Sequence, residues 1–316
     1  MSSPPRKVQF QYKGSSGIRL DQAIAESLPA FSRTQARKAI DAGGVYVNRK
    51  RCRIASRSVS HGARIEVNTS SDSSKTAGKK IQFNAADIIF EDEDLLVVNK
   101  PSGVPSQSTV DLARNNLHSM LQDFLAERAN VARDKVYLAI HHRLDRDTTG
   151  VILFTKTKAR NKEITDAFRD RTAEKEYLAL AEGSPDEDKF LSKRRIDDSA
   201  DKRGKYSCVD KGGKSAETHF EVLARGALGE NRISLIRALP KTGRTHQIRL
   251  HLTDLGFPIL GDRAYGGQSY SDAAQEKPLM FLHAHKLRIL GQEFVAPPPA
   301  DFTKMILRLK EASSKN

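Results

Sequence analysis

His141-His142-Arg143-Leu144-Asp145-Arg146-Asp147-Thr148-Thr149-Gly150 is the stretch on which the reading of this 316-residue chain turns. Two acids stand among two arginines and two histidines, and Thr-Thr-Gly closes the run as a turn. Val151-Ile152-Leu153-Phe154 follows, a short apolar run that predicts a buried strand. A charged loop is thus delivered into a rigid strand, a placement in which chemistry is commonly held. The bland alternative is a solvated, salt-bridged connection of little energetic weight. Spacing alone leaves both Asp145 and Asp147 open as the functional acid.

On the N-terminal side of this loop, 116–128 predicts a helix with Leu117, Met120, Leu121 and Phe124 on one side. Before it, Ile88-Ile89-Phe90 and Leu95-Leu96-Val97-Val98 predict two strands, and Lys100-Pro101-Ser102-Gly103-Val104-Pro105 a rigid turn. On the C-terminal side, 158–172 has helical spacing and a basic surface at Arg160, Lys162, Arg169 and Arg171. Residues 174–180 predict a strand with Tyr177 and Ala179 on one face and Leu178 and Leu180 on the other. A strand tyrosine is most often core packing. The polar segment 185–215 fits an RNA-facing loop and a surface loop without a role equally well. Strands follow at 216–223 and 232–236. Thr245 is then the expected cap of a helix that turns Ile248, Leu252 and Leu255 inward and stops at Gly256. A last amphipathic helix carries Phe302, Met305, Ile306 and Leu309.

Lys and Arg outnumber Asp and Glu by 53 to 39, a formal net charge of +14. That excess favours a polyanionic partner, nucleic acid before an acidic membrane. No apolar run is long enough to span a bilayer and the N-terminus carries no signal peptide, so a cytoplasmic protein is expected. Cys52 and Cys208 match no zinc or redox spacing. There is no Trp, so base stacking would fall to Tyr, Phe, His or Arg.

The first part of the chain reads as a small separate unit. Leu20, Ile24 and Leu28 line one short helix ended by Pro29. Ser32 with Gln35 forms a capping box for a second, whose buried stripe is Ala36, Ala39 and Ile40 and whose stop is Gly43-Gly44. Arg33, Arg37 and Lys38 lie away from that stripe. Val45-Tyr46-Val47 and Arg64-Ile65-Glu66-Val67 predict short strands. The expected organisation is a flexible N-terminus at 1–17, a small domain at 18–68, a Ser-, Lys- and Gly-rich linker at 69–80, and the main domain at 81–316.

Four histidines, His246, His251, His283 and His285, could with Asp147 or Asp262 form a metal-dependent nuclease site. Against this, the chain has no His-x-x-x-His or Cys-x-x-Cys spacing. A Gly-x-Ser-x-Gly elbow, a Walker A loop and a GxGxxG loop before a helix are also missing, which argues against a serine hydrolase and against nucleotide use.

The motifs do match a known family. HRLDRDTTG resembles the central motif of the RluA-type pseudouridine synthases. EDEDLLVVNKPSGVP resembles their first motif, Lys175-Glu176-Tyr177 their Lys-x-Tyr, and GRTHQIRLH with GFPILGDRAYG their third; Leu282-His283-Ala284 matches a further segment. SRTQARKAIDAGGVYVN with HGARIEV is similar to the small RNA-binding domain of the S-four type. The resemblance covers nearly all of 18–290, with the motifs in their usual order. It implies an α+β protein: a mixed, mostly antiparallel sheet with flanking helices, preceded by the small RNA-binding domain. It also implies isomerisation of selected uridines in structured RNA, with large-subunit ribosomal RNA the expected target and transfer RNA the alternative. A non-catalytic RNA-binding or ribosome-assembly module is the rival from another class. The resemblance assigns Asp145 as the catalytic acid, Arg249 as its partner, Tyr177 as the active-site tyrosine and Arg143 as the side chain that fills the space left by a flipped base. It assigns phosphate contacts to Arg33, Arg37 and Lys38, with Arg49 and Lys50. Because the isomerisation is redox-neutral and transfers no phosphate, no metal or cofactor is expected, and RNA is the expected partner of a monomer.

Overall fold

The computed structural model describes residues 7–29, 31–41, 43–52, 54–68, 83–107, 116–201, 204–267 and 279–313. The chain divides into two compact units, one of residues 1–82 with 108–115, the other of 83–107 with 116–316. The expected linker at 69–80 lies outside the described residues, as does the Lys38 side chain.

The first unit sets helices Leu20–Ser27 and Arg33–Asp41 against a four-stranded sheet. The sheet runs in the order Lys7–Gln11, Arg64–Asn68, Val45–Val47, Lys50–Arg51, antiparallel throughout. The capping box forms: Gln35 N–H donates to Ser32 Oγ at 3.2 Å and Ser32 N–H to Gln35 Oε1 at 2.7 Å. Ala36 and Ile40 turn inward onto Leu20, Ile24, Val45, Ile65 and Val67. The expected flexible N-terminus needs correction. Lys7–Gln11 pairs residue for residue with Arg64–Asn68, and Tyr12 is fully buried. The cause is an alternation of Val8, Phe10 and Tyr12 that completes the apolar face beside Ile65 and Val67.

The second unit is built on a ten-stranded sheet. Its order is Lys189–Ser192, Thr218–Leu228, Asn231–Pro240, Glu174–Glu182, Leu282–Ile289, Thr149–Thr155, Leu95–Lys100, Ile88–Glu91. Ala139–Ile140 and Gln292–Val295 pair alongside this path. Every pairing is antiparallel except Thr149–Thr155 with Leu282–Ile289, so the sheet is mixed and mostly antiparallel as expected.

Helices cover both faces. Leu117–Ala129 packs on Leu96, Val98, Ile152 and Phe154, and Gln247–Asp254 on Ala179, Ala181, Ile236 and Ala238. Tyr177 belongs to both of these clusters and joins them on one face. On the other face Asn161–Arg169 packs on Val97 and Leu153, and Ala300–Ser313 on Leu180 and Leu235. Thr149–Thr155, covered on both sides, is buried at every position, which is why it reads as a continuous apolar run.

The segment 185–215 is more ordered than a surface loop. Lys189–Ser192 joins the sheet edge, and Arg195–Ile196 pairs with Cys208–Val209. Ile196, Tyr206 and Cys208, three widely spaced apolar groups in a charged segment, pack with Leu250 and Tyr265. The cap of the 247–254 helix also differs: it is His246, in a left-handed conformation with φ 56°, not Thr245.

Candidate active site

The 141–150 loop is held from beneath by the 100–106 turn. Lys100, fully buried, donates from Nζ to the carbonyls of Pro101, Val104 and Arg146 at 2.9, 2.8 and 2.8 Å. Burial pushes this ammonium down to about 7, opposed by the charges of Asp147 and Asp145. Three carbonyl acceptors match the three N–H groups of the charged form, so the geometry is that of an ammonium. Ser106 Oγ donates to the Leu144 carbonyl at 2.8 Å and accepts the Leu144 N–H at 3.0 Å. His142 Nε2 accepts the Leu153 N–H at 3.0 Å, tying the loop to the strand it enters. Both neighbours of Asp145 are thereby fixed through their backbones, and its side chain is left facing outward, 25 % exposed.

Asp145 meets Arg249 there. Arg249 Nη1 donates to Asp145 Oδ2 at 2.9 Å. The far side of the same guanidinium is clamped by Asp262, with Nε to Oδ2 at 2.7 Å and Nη2 to Oδ1 at 2.8 Å. Asp262 is itself fixed by the Ala264 N–H at 3.0 Å. Burial opposes the charge of Arg249, but the hydrogen bonds to Asp262 and the charges of Asp145 and Asp262 outweigh it and hold its pKa above the ordinary value. The ring of Tyr265 lies against the guanidinium, 4.9 Å from centroid to carbon. One plane of arginine therefore orients the Asp145 carboxylate and is itself oriented by a buried acid and an aromatic face.

The other expected residues fall into place unevenly. Tyr177 is half-buried on the sheet face shared by the two helices, and burial, reinforced by the Asp145 charge, raises its pKa. Its phenol is neutral at ordinary pH. Arg143 is exposed on the loop and makes no ion pair among the described residues. Asp147 pairs in a fork with Arg146, both bonds 2.9 Å. In the first unit Arg37, Arg49 and Lys50 are exposed, while Arg33 spends one donor on buried Asp21 at 3.2 Å.

The four late histidines do not converge. His251 bonds Thr218 and the Arg194 carbonyl, His283 bonds Thr149 and the Ala296 carbonyl, and His285 bonds the Ala296 carbonyl. Among the described residues no group of three His, Cys, Asp or Glu is arranged to hold a metal ion. The sequence reading missed Asp262 as the clamp on Arg249, and with it Lys100, Ser106 and Tyr265. A signal was present for Asp262: a lone acid directly after the apolar turn Ile259-Leu260-Gly261.

The comparisons point the same way. A family model described as RNA pseudouridylate synthase matches residues 94–254, and an S4 domain model matches 18–65. An uncharacterized RNA pseudouridine synthase of Synechocystis sp. is 32 % identical over 95 % of this chain and 91 % of its own length. A ribosomal large subunit pseudouridine synthase D of Pasteurella multocida is 31 % identical over 93 % of this chain and 92 % of its own. The solved structure of human RNA pseudouridylate synthase domain containing 4 superposes with a TM-score of 0.58 at 25 % identity, covering 71 % of this chain and 93 % of that one.

Proposed function

The chain belongs to the RNA pseudouridylate synthase family and carries an S4 RNA-binding domain, and from that premise we propose that Asp145 is its nucleophile and large-subunit ribosomal RNA its substrate. The observation that carries the assignment of Asp145 is the clamp Asp262–Arg249–Asp145. A carboxylate closed in beside a uracil loses solvation, which disfavours its ionised form; a buried, oriented guanidinium restores that form and aims it. Asp147 has a surface arginine instead, outside this arrangement.

The remaining roles follow from placement. The target uridine leaves its stack to reach Asp145, and Arg143, exposed and unpaired on the same loop, fills the space it leaves. Tyr177 supplies a stacking surface. Its raised pKa leaves almost no phenolate at neutral pH to act as a base, so stacking rather than proton abstraction is the role assigned to it. No metal or cofactor enters: an Asp145 oxygen bonds the substrate and is later released, the C1′–N1 bond breaks with its electron pair kept by the ring, the ring turns, C5 bonds C1′, the C5 proton passes to water and N1 takes one from water. The S4 unit adds phosphate contacts through Arg37, Arg49 and Lys50 and the free part of Arg33, which set affinity rather than sequence choice.

The ribosomal target is drawn from relatives whose names specify the ribosomal large subunit. Mapping pseudouridine across all RNA from cells with and without this gene tests it. The expected result is loss at one or a few uridines of the large-subunit RNA; loss confined to transfer RNA would reassign the substrate. Purified enzyme should keep its rate in a strong chelator, and a loss restored by zinc or manganese would contradict the cofactor-free reading.

A further inference from the structure

We infer that His246 is a substrate-facing hydrogen-bond donor of this active site, its neutral Nε2–H reserved for a uracil carbonyl oxygen that gains charge as the glycosidic bond breaks. The inference rests on the reading of Asp145 as the nucleophile. It starts from a short relay. The Tyr206 backbone N–H donates to Tyr265 Oη at 3.1 Å, and that hydroxyl lies 2.7 Å from His246 Nδ1. The described residues offer the Tyr265 hydroxyl proton no other acceptor, which assigns it to His246 Nδ1 in this proposal. The ring then carries its own proton on Nε2.

Nε2 points to Asp145 Oδ2 from 3.8 Å, beyond hydrogen-bonding distance. An N–H thus stands beside the nucleophile with no acceptor of its own among the described residues. Burial lowers the ring's pKa and keeps it neutral. That state matters, because an imidazolium here would pair with Asp145 and blunt it. The position is also built at a cost. His246 adopts φ 56°, a backbone region that L side chains seldom occupy, and is wedged edge-on between Tyr206 and Tyr265 at 5.8 and 5.5 Å. Tyr206 comes from the 185–215 segment, which gives that segment a part in the site.

The chemistry needs such a donor. When C1′–N1 breaks, the electron pair stays with the ring, and uracil becomes an anion with its charge spread over N1, O2 and O4. The charge persists until C5 bonds C1′; loss of the C5 proton and protonation of N1 then restore the aromatic ring. A fixed neutral donor at one of those oxygens is stronger as charge develops than in the ground state, which lowers the barrier.

The test uses the full-length protein. Long-range ¹⁵N NMR of the histidine rings, without RNA, should show His246 as the Nε2–H tautomer, with that preference lost in Tyr265→Phe. His246→Asn tolerates the left-handed backbone and keeps a group near Nδ1, but removes the donor at Nε2. On total ribosomal RNA from a strain lacking the gene it should slow single-turnover pseudouridine formation by about 100-fold, with RNA affinity unchanged. His246→Gln, which restores a donor at longer reach, should recover part of the rate. An Nδ1–H tautomer in the wild type, or a His246→Asn variant at the wild-type rate, would overturn the proposal. Wild-type protein that forms no pseudouridine would instead overturn the reading of the substrate, since the tautomer is read without RNA.

Discussion

Asp262 and Asp145 share one arginine, yet their losses should look opposite. Asp262 is 1 % exposed, so Asp262→Ala removes two buried acceptors, leaves the guanidinium only the partly exposed Asp145, and should destabilise the fold by up to roughly 3 kcal/mol. Asp145 is partly exposed, and Asp145→Ala should abolish pseudouridine formation while leaving denaturant midpoint and RNA affinity nearly unchanged. Asp147→Ala should keep at least partial activity; a dead Asp147 variant beside a working Asp145 variant would reverse the assignment. A second residue-level expectation concerns acid. Burial holds His283 down to about 4 and His142 to about 3, against about 6.5 in an unfolded chain. Between those values the unfolded chain binds protons that the folded one refuses. The stability tied to the neutral rings is therefore complete above pH 6.5 and is lost as the pH falls towards the folded values. Ring signals of both histidines should stay in their neutral form down to pH 5 in an NMR titration, and an inflection near 6.5 would contradict the buried placement. The contact between Asp145 and Arg249 was legible in the sequence because each residue sits inside a compact motif. Asp262 also sits inside a motif, GFPILGDRAYG, but its role as the clamp was not legible, because a motif does not say which of its side chains meet.

At the scale of elements, the strand carrying the loop meets its parallel neighbour through only two residue pairs, Thr149 with His283 and Gly150 with Ala284. Gly150 has φ 113°, and a Cβ there would stand 2.1 Å from the Ala284 carbonyl oxygen. Gly150→Ala should therefore lower the melting temperature and the activity together, and speed amide exchange along Thr149–Thr155; unchanged exchange would show that the contact is dispensable. The strands at 95–100, 149–155, 174–182 and 231–240 were legible because their apolar runs or alternations are long enough to declare a period. Residues 7–11, 189–192, 195–196 and 208–209 were not. Two to five residues with charges among them give too little period to see, and their order comes from partners far along the chain. The cap at His246 was missed for a related reason: propensity favours Thr245, and the Tyr265 contact overrides it.

For the whole molecule, the two units keep separate apolar cores, so binding and chemistry should separate. Removing residues 1–75 should weaken binding of cognate and unrelated structured RNA alike. Each lost phosphate contact should flatten the slope of log affinity against log salt by about 0.7–0.9. At saturating RNA the single-turnover rate should stay near that of the full chain. An unchanged salt slope would assign the small unit another partner, and a collapsed rate in a folded catalytic unit would mean that it helps build the active site. The ordering of the sheet has one more consequence, in time rather than space. The loop bearing Asp145 is made near the middle of the chain, but its arginine lies 104 residues downstream and the neighbour of its strand 134 residues downstream. Contacts of such separation close late and slowly. A nascent chain thus carries the loop for a further 104 residues before Arg249 is made. The surroundings of Asp145 should therefore be complete only after the strand at 282–289 is made, well after the RNA-binding unit.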